Sequence, residues 1–295
     1  MAGHRAVVAA GVLALAACAD RSDLPFPEGA HRVEDGALSE MSGLVASGGD
    51  PQVLWSINDS GSFARLYRLG VRGEALGRVR VAGAWLHDTE TLARWRSGGR
   101  DWLLIGDVGD NRTRRDHVVV HAVEEPASDA TRAEIAWSVR FRYPDGARDA
   151  EAMAVDPGTG DLLVLSKRDK PPRLYRVPLS ASAGDAIATA EYVGSPAAGT
   201  IRGAVTGLDI GDDGRDLVVL SYDGLYVWHR GDGEAWAEVL ARAPHAVTRP
   251  AMAKAEAMAL GHDGSRILVG SEKVPTPLWS GAHPTREAPR VAAPR

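Results

Sequence analysis

An all-β propeller of five four-stranded blades, closed by a strand from the N-terminal side, is what this sequence predicts. Six blades, the last assembled from both termini, are the alternative. Five segments share one pattern: a small or acidic residue ahead of an apolar pair, a Gly/Asp turn, then an apolar run ending at a polar residue. They read SEMSGLVAS…QVLWSINDSG from Ser39, HDTETLARW…DWLLIGDVGDN from His87, RDAEAMAVD…DLLVLSKRD from Arg148, GAVTGLDIG…DLVVLSYDG from Gly203 and AKAEAMALG…RILVGSEKV from Ala253. The equivalent positions Ser42, Glu90, Glu151, Thr206 and Glu256 lie 48, 61, 55 and 50 residues apart. A period of roughly 40–50 residues with short β segments marks a propeller. No stretch shows a long helical period.

Each repeat holds two clear strands and two weaker ones. In the second repeat the spacing predicts strands over 90–96, 102–107, 118–123 and 135–141, with Ser97-Gly98-Gly99 as the first turn. The runs Leu103-Leu104-Ile105, 162–165 and 217–220 lack alternation, as strands buried on both faces do. Asp-Gly pairs at 145–146, 213–214, 223–224 and 263–264 supply turn chemistry. An aromatic recurs on the third strands, at Tyr67, Tyr175, Tyr226, Trp228 and Trp279, where it packs neighbouring blades together. The last repeat has a poor fourth strand, and residues 31–38 precede the first repeat without a partner. Joining the two closes the ring and protects the sheet edges.

Residues 1–17 read as a signal peptide: His4 and Arg5, then an apolar run too short to span a bilayer as a mature helix. Leu15-Ala16-Ala17-Cys18 resembles the bacterial lipobox, which makes Cys18 a lipidation site and residues 18–30 a tether. The propeller domain then covers 31–295. The chain is expected to be exported and lipid-anchored to a bacterial cell envelope, on its periplasmic or surface face, as a monomer. Cys18 is the one cysteine, so no disulfide framework supports the fold. The net charge is −5, and −6 once residues 1–17 with Arg5 are removed; no basic stripe appears, which excludes nucleic acid as a partner.

The motifs Ser42-Gly43-Leu44, Asn58-Asp59-Ser60-Gly61, 106–111 (GDVGDN), 142–152 (RYPDGARDAEA), Glu256-Ala257-Met258 and Ser271-Glu272 together resemble a bacterial family of secreted and lipoprotein β-propellers without an assigned activity. The resemblance covers about residues 39–280 and implies the propeller fold. A looser likeness, through the S-G-L and D-x-E blade starts, is to esterase-like domains related to phytase. It implies hydrolysis of esters or phosphoesters.

The first two strands of a blade form a hairpin, so the start of one lies beside the end of the other. The starts Ser42, Glu90, Glu151, Thr206 and Glu256 and the ends Asn58, Asp107, Lys167, Tyr222 and Glu272 are therefore expected on one rim of the ring. The following loops add Asp59, Asp110, Asn111, Arg112, Arg168 and Asp223. Five carboxylates in the ten face one lysine, and like charges so close cannot all stay ionised. Protons are retained, or Arg112, Arg168 and Lys167 pair them, or a hard cation binds. Oxygen-only donors suit Ca²⁺ or Mg²⁺, with Glu90, Asp107, Glu151 and Glu256 as the expected ligands.

Other motifs carry less. Residues 106–111 are Gly-rich but open no helix that could present a phosphate site. Ser60 lacks a patterned His, and Gly-x-Ser-x-Gly is absent. His87 beside Asp88 reads as an exposed turn residue, a general base or a ligand. His117, His121, His229, His245 and His262 lack metal-ligand spacing. Asp212-Asp213-Gly214 lacks the acidic ladder of an EF-hand. Two functions follow: an anchored propeller that binds a small anionic ligand or an envelope protein on the acidic rim, with or without a divalent cation, or a divalent-metal-dependent hydrolase using the same carboxylates. The catalytic residues and the enzymatic status are left open by the sequence.

Overall fold

A computed structural model describes residues 24–59, 64–83, 86–182 and 186–286. The leader, Cys18 and Ser60 lie outside the described residues.

Apolar runs that cannot alternate must be covered on both faces, and the chain does this by stacking sheets side by side around an axis. It begins with β1 (His31–Arg32). Blade 1 is β2 (Met41–Ala46), β3 (Val53–Asn58), β4 (Arg65–Gly70) and β5 (Ala75–Ala82). Blade 2 is β6 (Thr89–Ser97), β7 (Arg100–Asp107), β8 (Val118–Glu124) and, after a short β9 (Arg132–Glu134), β10 (Trp137–Arg142). Blade 3 is β11 (Ala150–Asp156), β12 (Asp161–Ser166), β13 (Leu174–Pro178) and, after β14 (Ile187–Thr189), β15 (Glu191–Gly194). Blade 4 is β16 (Val205–Ile210), β17 (Asp216–Ser221), β18 (Leu225–His229) and, after the helix α1 (Trp236–Leu240), β19 (His245–Ala246). Blade 5 is β20 (Ala255–Leu260), β21 (Arg266–Ser271) and β22 (Pro277–Ala282). Five blades, not six, complete the ring.

β1 supplies the missing fourth strand of blade 5, with His31 opposite Leu278 and Arg32 opposite Pro277. The following residues then cross to blade 1. The Val33 amide donates to Thr276 O at 2.9 Å, the Glu34 amide to Gly73 O at 2.9 Å, and the Lys273 amide to Ser39 O at 2.8 Å. Leu38 and Val33 are buried there beside Met41, Tyr67 and Leu278. Two blades gain a fifth strand from their successor: β9 pairs parallel to β5, and β14 parallel to β10. Neither addition is legible in the repeat, because each strand pairs outside its own blade.

The core is a set of five layers, each between neighbouring blades. Tyr67, Tyr175 and Trp228 fill such layers as expected, and are fully or nearly fully buried. Gly43 is required where blades 1 and 2 touch: a Cβ there would sit 2.6 Å from the Leu92 amide nitrogen. No helix among the described residues is long and apolar enough to cross a membrane.

Candidate functional site at the acidic mouth of the ring

Every innermost hairpin breaks register at one place. Met41 faces Asn58 and Gly43 faces Ile57, leaving Ser42 unpaired. The same slip leaves Glu90, Glu151, Thr206 and Glu256 unpaired in the other four blades. Each is the extra residue of a β-bulge, a device that redirects one side chain without ending the strand. The five blade-start residues expected on the rim are thus the five bulged residues, and all are buried. The two hydroxyls tie neighbouring blades: Ser42 Oγ donates to Glu90 O at 2.8 Å, and Thr206 Oγ1 to Ala255 O at 2.7 Å. The other three positions carry carboxylates.

Opposite them stand Asp59, Lys167, Tyr222 and Glu272. Each lies one residue past the end of its strand, and its amide bonds back to the carbonyl of Glu40, Asp149, Ala204 or Lys254. The sequence reading misses this register in blades 1 and 2, where it places Asn58 and Asp107. Both lie inside their strands, at the level of Ser166 and Ser221, and one residue along a strand moves a side chain to the other face. Asn58 accordingly donates to Ala37 O at 2.8 Å. The Asp107 carboxylate accepts the amides of His87 and Asp88 at 2.9 and 3.0 Å and Arg115 Nη1 at 2.7 Å, so it organises the loop rather than joining the acidic group.

Asp59, Asp88 and Glu90 form that group. One oxygen from each lies within 4.8 Å of the other two. Asp59 comes from the end of blade 1, the other two from the start of blade 2. Gly109 makes the approach possible, since a Cβ there would meet Asp88 Cγ at 2.6 Å and Glu90 Cγ at 2.8 Å. Burial pushes the Glu90 carboxyl up to about 9; the negative charges of Asp59, Asp88 and Asp149 add to this, and Lys167 opposes it.

Lys167 is paired with Glu151 Oε1. Its ammonium also acts on Glu90, Glu256 and Glu272. Glu151 Oε2 is buried and has no hydrogen-bond partner among the described residues. Further round the ring, Tyr222 donates its hydroxyl to Glu256 Oε1, and Lys254 pairs with Glu272. Burial raises the Glu256 carboxyl to about 8, helped by its hydrogen bond to Glu272. Burial acts on Glu272 too, but hydrogen bonds from Glu256 and Lys254 outweigh it and hold Glu272 below the usual range. Burial, with the bond to Glu256, likewise keeps the Tyr222 phenol protonated.

The remaining candidates serve the loops. The Asp110 carboxylate accepts the amides of Arg114 and Arg115 at 2.9 and 2.8 Å. Arg168 donates to Asp149 at 2.8 Å and to Asn111. Arg112 is exposed and pairs with none of the carboxylates among the described residues; Arg115 takes that part. The Asp223 carboxylate accepts the amides of Arg202 and Gly203 at 3.1 and 2.8 Å. Asp88 and Lys254, absent from the expected set, belong to the site. The D-x-E spacing of Asp88 and Glu90 was the available signal for the first.

No protein-family profile matches the chain, and no characterised protein matches its sequence. Among solved structures, the hydrazine synthase of Kuenenia stuttgartiensis is similar at 10% identity, with a TM-score of 0.46, over 83% of this chain and 72% of that one. A chain of the mitotic checkpoint complex is similar at 17% identity, with a TM-score of 0.38, over 81% of this chain and 60% of its own length.

Proposed function

We propose that this protein is a binding propeller of the bacterial envelope, lipid-anchored through Cys18, whose acidic mouth holds a divalent cation and, through it, a ligand or protein partner. The observation that carries the reading is the convergence of Asp59, Asp88 and Glu90. Three carboxylates so close are held by protons, by neighbouring cationic side chains or by a bound cation. An oxygen-only set suits Ca²⁺ or Mg²⁺. The unpartnered Glu151 oxygen adds a further acceptor at the same mouth.

The test is melting of the EDTA-treated protein against Ca²⁺ and Mg²⁺. A cation bound only by the folded state stabilises it by about 2.7 kcal/mol at a hundredfold excess over its dissociation constant. Glu90→Gln and Asp59→Asn each remove a charged ligand and should abolish most of that response. A wild-type protein that melts identically in EDTA, Ca²⁺ and Mg²⁺ refutes the reading.

One observation favours hydrolysis as a second reading. Glu256 and Glu272 share a hydrogen bond yet are driven apart, one toward the protonated and one toward the ionised form. Pairs split in this way serve as acid and base. Turnover in an ester and phosphoester panel that Glu256→Gln eliminates would select this reading; no turnover leaves the binding role.

A further inference from the structure

On the face opposite the acidic mouth, between the β6–β7 turn of blade 2 and the β11–β12 turn of blade 3, lies a cavity of about 500 Å³. That is within the range of small-molecule sites. Trp95, Trp102 and Trp137 line it, together with Arg100, Thr159 and Asp161. The aromatic wall is an addition to the repeat. β6 runs seven residues past its bulged Glu90, to Ser97, while the other four inner strands stop four or five residues past theirs. Trp95 and Trp102 face each other across that longer hairpin. At the place of Trp95 the other four repeats carry Ser47, Asp156, Gly211 and Gly261, so a blade folds without an aromatic there.

The three rings are fixed in place, yet accessible. Trp137 meets Trp95 edge-on with 5.9 Å between ring centroids, and Trp102 at 5.8 Å with a 57° tilt. All three pack against the buried layer between blades 2 and 3, and none is itself fully buried. Their indole N–H groups make no hydrogen bond among the described residues and are not shut away from solvent. Elsewhere the indoles find acceptors: Trp55 Nε1 donates to Glu125 at 2.9 Å and Trp236 Nε1 to Asp156 at 2.7 Å. Asp161 repeats the pattern on the acceptor side. Its side chain is 16% exposed, and its carboxylate accepts no hydrogen bond among the described residues. The cation beside it, Arg176, is 3.7 Å away and committed to Glu191 through Nε and Nη2.

We infer that this cavity is a saccharide site, in which the tryptophans stack a gluco-configured pyranose and Asp161 with the indole N–H groups holds its hydroxyls. Such a ring has equatorial hydroxyls, so its faces are axial C–H bonds. Those weakly positive faces match the negative face of an indole. Its edge both donates and accepts, which matches one open carboxylate and three open N–H donors. Other occupants fit less well. An acyl chain would leave those polar groups unpaired. An organic cation would suit the rings and Asp161, but Arg100 stands in the same wall. The site lies across the ring from Asp59, Asp88 and Glu90 and does not rest on a cation there.

The experiment is calorimetric titration of the full chain in EDTA with cellotetraose and with chitotetraose, and choline chloride as a parallel arm. At least one of the two oligosaccharides should bind saturably; the tighter one shows whether a hydroxyl or an acetamido group at C2 is read. Trp102→Leu and Trp137→Leu keep an apolar contact with the core but lose the ring face, and each should weaken binding about tenfold. Asp161→Asn, which preserves shape and tests the acceptor without disturbing the core, should also weaken it about tenfold. Tyr192→Ala, at an exposed aromatic of blade 3 outside the cavity, should leave binding unchanged, as should Glu90→Gln at the acidic mouth. No saturable binding of either oligosaccharide overturns the site. An equal loss with Tyr192→Ala means unspecific adsorption to aromatic surface and overturns it too. Choline binding more tightly than both sugars, with the same mutational pattern, replaces the saccharide by a cation. Sedimentation showing a dimer that Trp137→Leu dissolves means that a second copy covers the rings, and the assignment falls.

Discussion

Raising the pH in the absence of divalent cations should destabilise this protein, and Glu90 should be a main cause. Its carboxyl moves from 4.5 to about 9 on folding, and that of Glu256 from 4.5 to about 8. A group whose folded-state pKa is raised stabilises fully below its unfolded pKa, and that contribution is lost as the pH climbs to the folded pKa. Between those limits the folded chain holds a proton the unfolded chain has released. Each such proton costs about 1.4 kcal/mol per pH unit. The useful window is pH 6.5–8. Below it, burial-depressed His121 and His283 contribute with the opposite sign, and Asp209, raised by burial to about 6, titrates as well. Across the window Glu90 alone accounts for about 2 kcal/mol. For a chain of this size that is a melting shift of about 4–8 °C. Differential scanning calorimetry in EDTA should show the wild type losing at least that much. Glu90→Gln keeps the acceptor that Ser42 Oγ meets at 3.2 Å but cannot ionise, so it should lose markedly less and be the more stable protein at pH 8. A flat or rising wild-type profile, or a Gln variant parallel to it, refutes the argument. Protons compete with a cation for these oxygens, so Ca²⁺ affinity should rise over the same window.

Three further outcomes are expected. Leu38→Ala empties a fully buried position where the N-terminal segment joins blade 5 to blade 1, which should cost about 2–5 kcal/mol in chemical denaturation. Deleting residues 31–38 should cost more, and an unchanged denaturation midpoint would show that the segment does not close the ring. Cys18→Ala should move the protein from the membrane fraction to the soluble fraction of the cell envelope, and retention in the membrane would rule out the lipid anchor.

The fold was legible because a blade needs the same local chemistry each time: a start, a turn, and a run buried on both faces. That need repeats in sequence as Glu151-Ala152-Met153 and Glu256-Ala257-Met258 do. Strands β9 and β14 were not legible because their partners belong to the preceding blade, and three residues carry no periodicity of their own. The register of the strand ends is legible where an apolar residue and a serine precede the key position, at Lys167 and Tyr222, and where Gly270-Ser271 precede Glu272. In blades 1 and 2 a polar residue, Asn58 or Asp107, stands one place earlier and draws the assignment to the wrong face. Loop 108–117 offers Arg112, Arg114 and Arg115 within four positions; only the folded loop, pinned by Asp110, selects Arg115 as the partner of Asp107.

The bulges give the strongest reason to treat the acidic mouth as a site rather than as scaffolding. Each blade must fill one bulged position facing its neighbours. Ser42 and Thr206 show what the fold alone requires: a short hydroxyl that reaches a carbonyl of the next blade at 2.8 or 2.7 Å. A serine or threonine at 90, 151 and 256 would meet the same need without desolvating a carboxylate. Instead these blades carry glutamates, two of them pushed to about 9 and 8 by burial, which means that they destabilise the ring at neutral pH. Replacing Glu90 and Glu256 by threonine, which leaves the buried Lys167–Glu151 pair intact, should therefore raise the melting temperature at pH 8 and remove the Ca²⁺ response together. A double variant that is less stable than wild type in EDTA at pH 8 would show that these glutamates hold the blades together, and the acidic mouth would then be structural.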